Sequence, residues 1–322
     1  MRKNKVPKRF LHFVMVCLLV NLAVLGQMRV VKGPLRLVGG EDRYATRPHW
    51  SPDGTKIAFT SLNYRGIWVM NRDGSQVEQI TNDPAAGFGF RWSSDSKAIV
   101  SRIAKFEGRY RFNALKIYDI ERHTEKRITD FRTLMMGLPQ WADGDEKVFI
   151  YSRRKLEIFD SGKKASHLEK KNVTPRICFL KNNQIAVGDI STGEVRVLKP
   201  LKGQKCINLV VSPDGQKVAF EILGGHLFVM HVDGSGLVDL GRGHRPRWAP
   251  DNQYLVYMVT SDDGYRYLSS DIYAIKIDGT EKVKLTFTRD LLEMNPSWSP
   301  DGQEIVFDVK ENGTIYKIQI AK

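Results

Sequence analysis

A short phrase returns along this chain, and its return narrows the possible folds more than any other feature. Trp50-Ser51-Pro52-Asp53-Gly54 precedes Lys56-Ile57-Ala58-Phe59, and Trp298-Ser299-Pro300-Asp301-Gly302 precedes Glu304-Ile305-Val306-Phe307. Val211-Ser212-Pro213-Asp214-Gly215 before Lys217-Val218-Ala219-Phe220 is a third copy without the tryptophan. Looser copies begin at Trp92, Trp141 and Trp248. The faintest is Ile177, where Pro175-Arg176-Ile177 echoes Pro246-Arg247-Trp248 and residues 184–187 supply the strand that follows. The seven anchors stand about 41 residues apart on average, the blade period of a β-propeller.

Each copy reads as four strands. The tryptophan ends an inner strand, and Ser-Pro-Asp-Gly is turn chemistry: proline presets φ, aspartate bonds locally and glycine takes positive φ. A β-rich run follows, then a second such as Trp68-Val69-Met70-Asn71 closing on Asp73-Gly74, then a short fourth strand such as Gln79-Ile80-Thr81. No segment after residue 30 carries a 3.6-residue apolar stripe. At 322 residues the length alone suggests two domains, but a propeller of this size is one. The last copy stops after its third strand, and Leu35-Arg36-Leu37-Val38 supplies a fourth from the other end of the chain. A ring must close or leave an open edge. The expected fold is therefore all-β, a seven-bladed propeller whose N-terminal strand closes the ring beside residues 315–318. Six blades, with the Ile177 copy absorbed into a neighbour, is the alternative.

The charge has a partly local origin. Fifty Lys plus Arg against thirty-six Asp plus Glu leave +14. Arg2, Lys3, Lys5, Lys8 and Arg9 precede an apolar run over residues 11–26, the pattern of a secretory signal or an N-terminal anchor. Removing it takes five positive charges and no negative ones from the +14, leaving +9. The organisation is then 1–26 signal peptide or anchor, 27–33 short linker and 34–322 propeller. The protein is expected outside the cytoplasm, periplasmic or extracellular, or held at the membrane by residues 11–26. Cys178 and Cys206 have no metal-binding spacing, and an exported chain permits either a bridge or two separate thiols.

These phrases resemble the TolB-type, WD40-like propeller repeat, with its Trp-Ser-Pro-Asp-Gly, Ile-Ala-Phe and Val-Met-Asn-x-Asp-Gly runs. Trp68-Val69-Met70-Asn71-Arg72-Asp73-Gly74 and Phe228-Val229-Met230-His231-Val232-Asp233-Gly234 carry the last of these. The resemblance covers the chain from residue 34 onward and implies fold more than function. Propellers of this superfamily serve as periplasmic interaction platforms, as gating domains of peptidases and occasionally as carbohydrate lyases. TolB itself has a small α/β domain before its propeller, where only residues 27–33 stand here.

Chemistry is sparse. No Gly-x-Ser-x-Gly nucleophile elbow occurs, and Gly234-Ser235-Gly236 follows an Asp-Gly turn. The seven histidines form no His-x-x-x-His, so no metal, catalytic residue or cofactor is assigned; His49 and His244, just before inner-strand anchors, are the histidines nearest an axial site. Asp53, Asp214, Asp251 and Asp301 recur because the turn recurs, not as calcium ligands. One pattern resists that plain account. The positions one and three residues before the anchors include Arg47, His49, Arg91, Arg176, Arg245 and Arg247, and no carboxylate. They share strand parity and converge near the axis, where gathered positive charge attracts an anion. The structural alternative pairs them with acids of neighbouring strands. The basic-aromatic stretch over residues 105–112 reads as an extended hairpin rather than a nucleic-acid site, and residues 261–270 make a matching long connection that projects from the same rim. The expected function is a non-enzymatic, monomeric scaffold binding an envelope protein or an anionic glycan. A lyase acting on acidic oligosaccharides, and a propeller partnering a separately encoded peptidase, are the alternatives.

Overall fold

A computed structural model describes residues 28–40, 43–164, 176–288 and 290–322, with the side chain of Arg176 also outside the described set. The expected signal or anchor over residues 1–26 lies outside the described residues. Among those described, no helix is long and apolar enough to cross a membrane.

The chain forms seven antiparallel sheets, one per blade. Strand β1 (Arg29–Val38) comes first, and blade 1 follows with β2 (Thr46–Trp50), β3 (Lys56–Thr60), β4 (Ile67–Asn71) and β5 (Glu78–Thr81). Blade 2 has β6 (Arg91–Trp92), β7 (Ala98–Glu107), β8 (Tyr110–Asp119) and β9 (Thr124–Arg127). Blade 3 shows β10 (Gln140–Ala142), β11 (Lys147–Ser152) and β12 (Lys155–Asp160). Blade 4 shows β13 (Arg176–Lys181), β14 (Gln184–Asp189) and β15 (Val195–Val197). Blade 5 has β16 (Cys206–Val211), β17 (Lys217–Ile222), β18 (His226–His231) and β19 (Val238–Arg242). Blade 6 has β20 (His244–Trp248), β21 (Tyr254–Asp262), β22 (Tyr267–Lys276) and β23 (Val283–Lys284). Blade 7 has β24 (Glu293–Trp298), β25 (Glu304–Val309) and β26 (Thr314–Ala321). The two sheets with three described strands flank residues 165–175, which lie outside the described set.

The ring closes as expected. Strand β1 pairs with β26, Leu35 opposite Lys317 and Val38 opposite Ile315, so both ends of the chain share blade 7. It starts at Arg29, within the segment read as linker, and Met28 is already buried in the cluster between blades 6 and 7.

Alternation along the strands builds the core between blades. Successive side chains of β17 face opposite neighbours: Ala219 packs with Trp248, Leu255 and Tyr257 of blade 6, while Val218 and Phe220 pack with Cys178 and Ile185 of blade 4. Each fully buried Val, Leu, Ile or Phe is worth about 1.5–3 kcal/mol. Cys178 and Cys206 are buried free thiols in that cluster.

Turn chemistry repeats at atomic detail. The Ser51 hydroxyl donates to Asp53 Oδ1 at 2.6 Å, the Thr55 amide donates to the same oxygen at 3.0 Å, and Gly54 takes φ +71°. The tryptophans stitch blades together. Trp92 Nε1 donates to the carbonyl of His49, Trp141 Nε1 to that of Arg91, and Trp248 Nε1 to that of Val210. Each acceptor stands just before the anchor of the preceding blade.

Blade 4 corrects the sequence reading. Ile177 does not end an inner strand. It lies in β13, which turns through Asn182-Asn183 into β14. The amide of Cys206, opening the inner strand of blade 5, donates to Asn183 O at 2.7 Å. The amide of Gly243 does the same to Gly225, in the second-to-third-strand turn of blade 5. Asn182-Asn183 is therefore a second-to-third-strand turn, and β13, β14 and β15 are the second, third and fourth strands. No inner strand of blade 4 lies among the described residues. Residues 184–187 belong to the third strand, not the second.

Because strands alternate in direction, the propeller has two unlike faces. The Ser-Pro-Asp-Gly and Asp-Gly turns share one. The other carries the second-to-third-strand turns and the blade-to-blade connections. The β7–β8 and β21–β22 hairpins rise from this second face, with Glu107 opposite Tyr110 and Asp262 opposite Tyr267 at their tips.

Candidate functional site

A cavity of about 570 Å³ sits on the axis and is lined at the hairpin-face end of the blades. Arg47, His49, Arg91, Arg245 and Arg247 all line it, so five of the six expected residues come together. Arg176 does not join them on its backbone: it opens β13 opposite Asp189, at the far end of that strand from the cavity-lining Phe179 and Leu180.

A repeated irregularity aims these residues. The inner strands of blades 1, 5, 6 and 7 each skip a register step at one position, and there Arg47, Asn208, Arg245 and Asn295 adopt φ of +55°, +51°, +52° and +50°. Blade 2 has Gly89 at φ +79°, where an added Cβ would come within 2.6 Å of Leu138. Such a bulge re-aims a side chain and leaves one amide without a ladder partner. Asparagine and glycine tolerate the left-handed region; arginine does so at a cost of about 1 kcal/mol or more. Local strain of this kind collects at functional sites.

Two carboxylates catch the orphaned amides. Asp308 of β25 accepts from the Arg47 amide at 2.9 Å, from Thr46 Oγ1 at 2.8 Å and from Asn295 Nδ2 at 2.9 Å. Glu221 of β17 accepts from the Arg245 amide at 3.2 Å and Asn208 Nδ2 at 2.7 Å, with His244 Nδ1 at 2.7 Å. The acids of neighbouring strands thus serve the arginine backbones, not their guanidinium groups. Arg47 Nη2 donates to Tyr64 OH at 3.1 Å, and Arg245 Nη1 contacts Asn295 Oδ1. Arg91 and Arg247 each donate to the carbonyl before them, and Arg247 Nη2 faces His49 Nε2 at 3.3 Å. Among the described residues, none of the four guanidinium groups forms an ion pair.

No protein-family model matches the chain. A 55-residue stretch is 42% identical to the Tol-Pal system protein TolB of Anaeromyxobacter dehalogenans, spanning 16% of this chain and 13% of that protein. Among solved structures, the putative TolB from Agrobacterium tumefaciens aligns over 87% of this chain and 91% of its own, with TM-score 0.53 and 17% identity. The chain is a β-propeller similar in fold to that TolB. The β-propeller domain of Cps50 (Swd1) from Myceliophteria thermophila aligns over 91% of this chain and 100% of its own, with TM-score 0.59 and 10% identity. At such identities these structures speak for the fold.

Electrostatics in the cavity follow from burial first and then from the crowding of like charges. Burial, then Arg247, Arg91 and Arg47, hold the His49 imidazole well below its ordinary value. It is therefore neutral and accepts from Arg247. Burial and then Arg91, Arg245 and Arg47 push the Arg247 guanidinium below its ordinary range. Arginine does not give up its proton, so the part of the push that comes from Arg91, Arg245 and Arg47 reports positive potential gathered in the cavity. Burial lifts the Asp308 carboxyl to about 6, against the hydrogen bonds from Thr46, Arg47 and Asn295. Among the described residues, no group of three or more His, Cys, Asp and Glu side chains is gathered as for a metal ion.

The wall formed by blades 3 to 5 is largely apolar. Leu138, Tyr151, Phe179 and Leu209 line it, while Phe88 lies beside the Arg47 guanidinium, its ring centre 5.8 Å away. Sequence reading missed Tyr151 and Phe179 because they end second strands rather than inner ones. It also missed Asp308 and Glu221, although each is an acid within an apolar second strand, and that was the available signal.

Proposed function

We propose that this TolB-like propeller is an exported, non-catalytic binding protein of the cell envelope that captures an anionic group of its partner in the axial cavity. One observation carries the reading: four arginines line one cavity, and the nearby carboxylates are engaged by backbone amides. A concave site of this volume with a few convergent polar groups is the ordinary form of a ligand pocket. Arginine's planar fork suits a carboxylate or phosphate, and charge-assisted hydrogen bonds are the strong ones.

Isothermal titration of the purified protein with acidic peptides and acidic oligosaccharides tests this, against an Arg91→Ala/Arg247→Ala variant. Each lost charge-assisted bond is worth about 1.5–3 kcal/mol, so affinity is expected to fall by about tenfold or more. Undiminished binding in the variant would sink the cavity reading. Unsaturated product appearing from an acidic oligosaccharide would replace it with the lyase alternative.

A further inference from the structure

The connection from blade 2 to blade 3 combines two properties that rarely coincide. Five consecutive carbonyls in it are held by side chains. Arg153 Nη2 donates to Thr133 O at 3.1 Å and Ser152 Oγ to Leu134 O at 2.9 Å. Nη1 of the buried Arg102 lies 2.9, 2.7 and 3.1 Å from the carbonyls of Met135, Met136 and Gly137. Such a loop is fixed in place. Yet Leu134 and Met136 are 67% and 78% exposed, and Leu134 sits at φ +58°. Met136 also lines the mouth of the axial cavity. The loop spends backbone strain and a buried guanidinium to hold apolar side chains out in water.

Beside it, Arg153-Arg154 forms the two-residue turn between β11 and β12, at φ +51° and +65°. Turns with both residues left-handed favour Asn-Gly. Blade 4 fills the same turn with Asn182-Asn183, at φ +52° and +59°. Two arginines there cost about 1 kcal/mol each, and among the described residues neither forms an ion pair.

We propose that this corner docks a partner polypeptide: an extended acidic segment whose apolar side chains rest on Leu134 and Met136. Its carboxylates meet Arg153 and Arg154, and the segment continues into the axial cavity. This rests on the anion-binding reading of the cavity and deepens it by naming a polypeptide. Charge complementarity fixes the acidic character, and the exposed apolar pair fits a peptide better than a uronate chain.

The test titrates the protein with a Glu-Leu dipeptide and with a decapeptide alternating Glu and Leu. Arg154→Gly puts glycine at a left-handed position and leaves the Arg153 bond to Thr133 in place, so it is expected to keep or raise the melting temperature. It should bind the dipeptide like the parent protein and the decapeptide about twofold to fivefold more weakly, one exposed charge pair being lost. Met136→Ser should weaken the decapeptide by a few-fold. Equal decapeptide affinity across the parent and both variants overturns the docking corner, as does a dipeptide binding as tightly as the decapeptide. Dipeptide binding that still requires Arg91 and Arg247 would then leave the cavity reading standing alone. Binding to phosphatidylserine vesicles in place of the decapeptide, or tighter binding of an acidic oligosaccharide by all variants, also overturns it.

Discussion

Asp308 both builds the cavity and sets its charge. Its carboxylate holds the Arg47 amide, Thr46 and Asn295, and burial lifts it to about 6 from the ordinary 3.8. Below that pH it is neutral, and one negative charge disappears from beside Arg47 and Arg245. Anion affinity is therefore expected to rise as pH falls through about 6, and Asp308→Asn should flatten that profile in titrations run across it. Stability runs the same way. Between 3.8 and about 6 the folded chain holds a proton that the unfolded chain has released, so this contribution is fully present below 3.8 and lost as pH rises to about 6. Denaturant melts at pH 4 and pH 7 check the sign, Asp308→Asn losing its share of the difference. Arg102 offers a second single-residue test. Arg102→Met removes the hydrogen bonds to three carbonyls while keeping the bulk of the buried stem, and should cost about 2–4 kcal/mol. The denaturation midpoint measures it, and a change below the noise would mean that the connection holds itself.

At the scale of strands, the recurring tryptophans are seams between blades. Trp92→Phe and Trp248→Phe keep most of the packing and lose one indole-to-carbonyl bond each, to His49 and Val210. Each should cost about 0.5–1.5 kcal/mol. The two sites lie in blades 2 and 6, so the double variant should show the sum. A marked shortfall in chemical denaturation would mean that the seams do not act separately. This repetition is why the fold is legible in the sequence: turn and wedge need the same residues in each blade, so the phrase marks blade after blade. Blade 4 is the exception. There the sequence offers neither the tryptophan, which blade 5 also replaces with Val211, nor the turn phrase that blade 5 keeps; Pro175-Arg176-Ile177 imitates an anchor, and residues 184–187 imitate a second strand. The corrective cue was Asp189-Ile190-Ser191-Thr192-Gly193, an Asp-led turn like Asp119-Ile120-Glu121, with the aspartate capping amides two residues on in both. Such a turn follows a third strand. The cavity arginines were legible from parity alone, whereas Asp308, Glu221 and Tyr151 contribute from second strands whose register only the folded ring reveals.

Taken whole, the molecule depends on its first strand. Strand β1 is the fourth strand of blade 7, and it buries Met28 and partly buries Val30 between blades 6 and 7, and Leu37 and Val38 between blades 7 and 1. A ring closed this way cannot open one blade at a time, because the last three strands and the first are one sheet. Deleting residues 28–38 leaves the long outer edge of β26 unpaired, an invitation to pair with another chain. It also removes four apolar anchors worth about 1.5 kcal/mol or more each when fully buried, a large share of the 5–15 kcal/mol that stabilises a typical domain. Size-exclusion chromatography is expected to show oligomers or aggregate, and circular dichroism a melt well below that of the full chain. A gentler pair separates closure from general damage. Leu37→Ala, inside the seam, should cost about 1–2 kcal/mol, while Val31→Ala, 54% exposed on the same strand, should stay within about 0.5 kcal/mol. Equal effects from the two would mean that β1 decorates the ring without locking it.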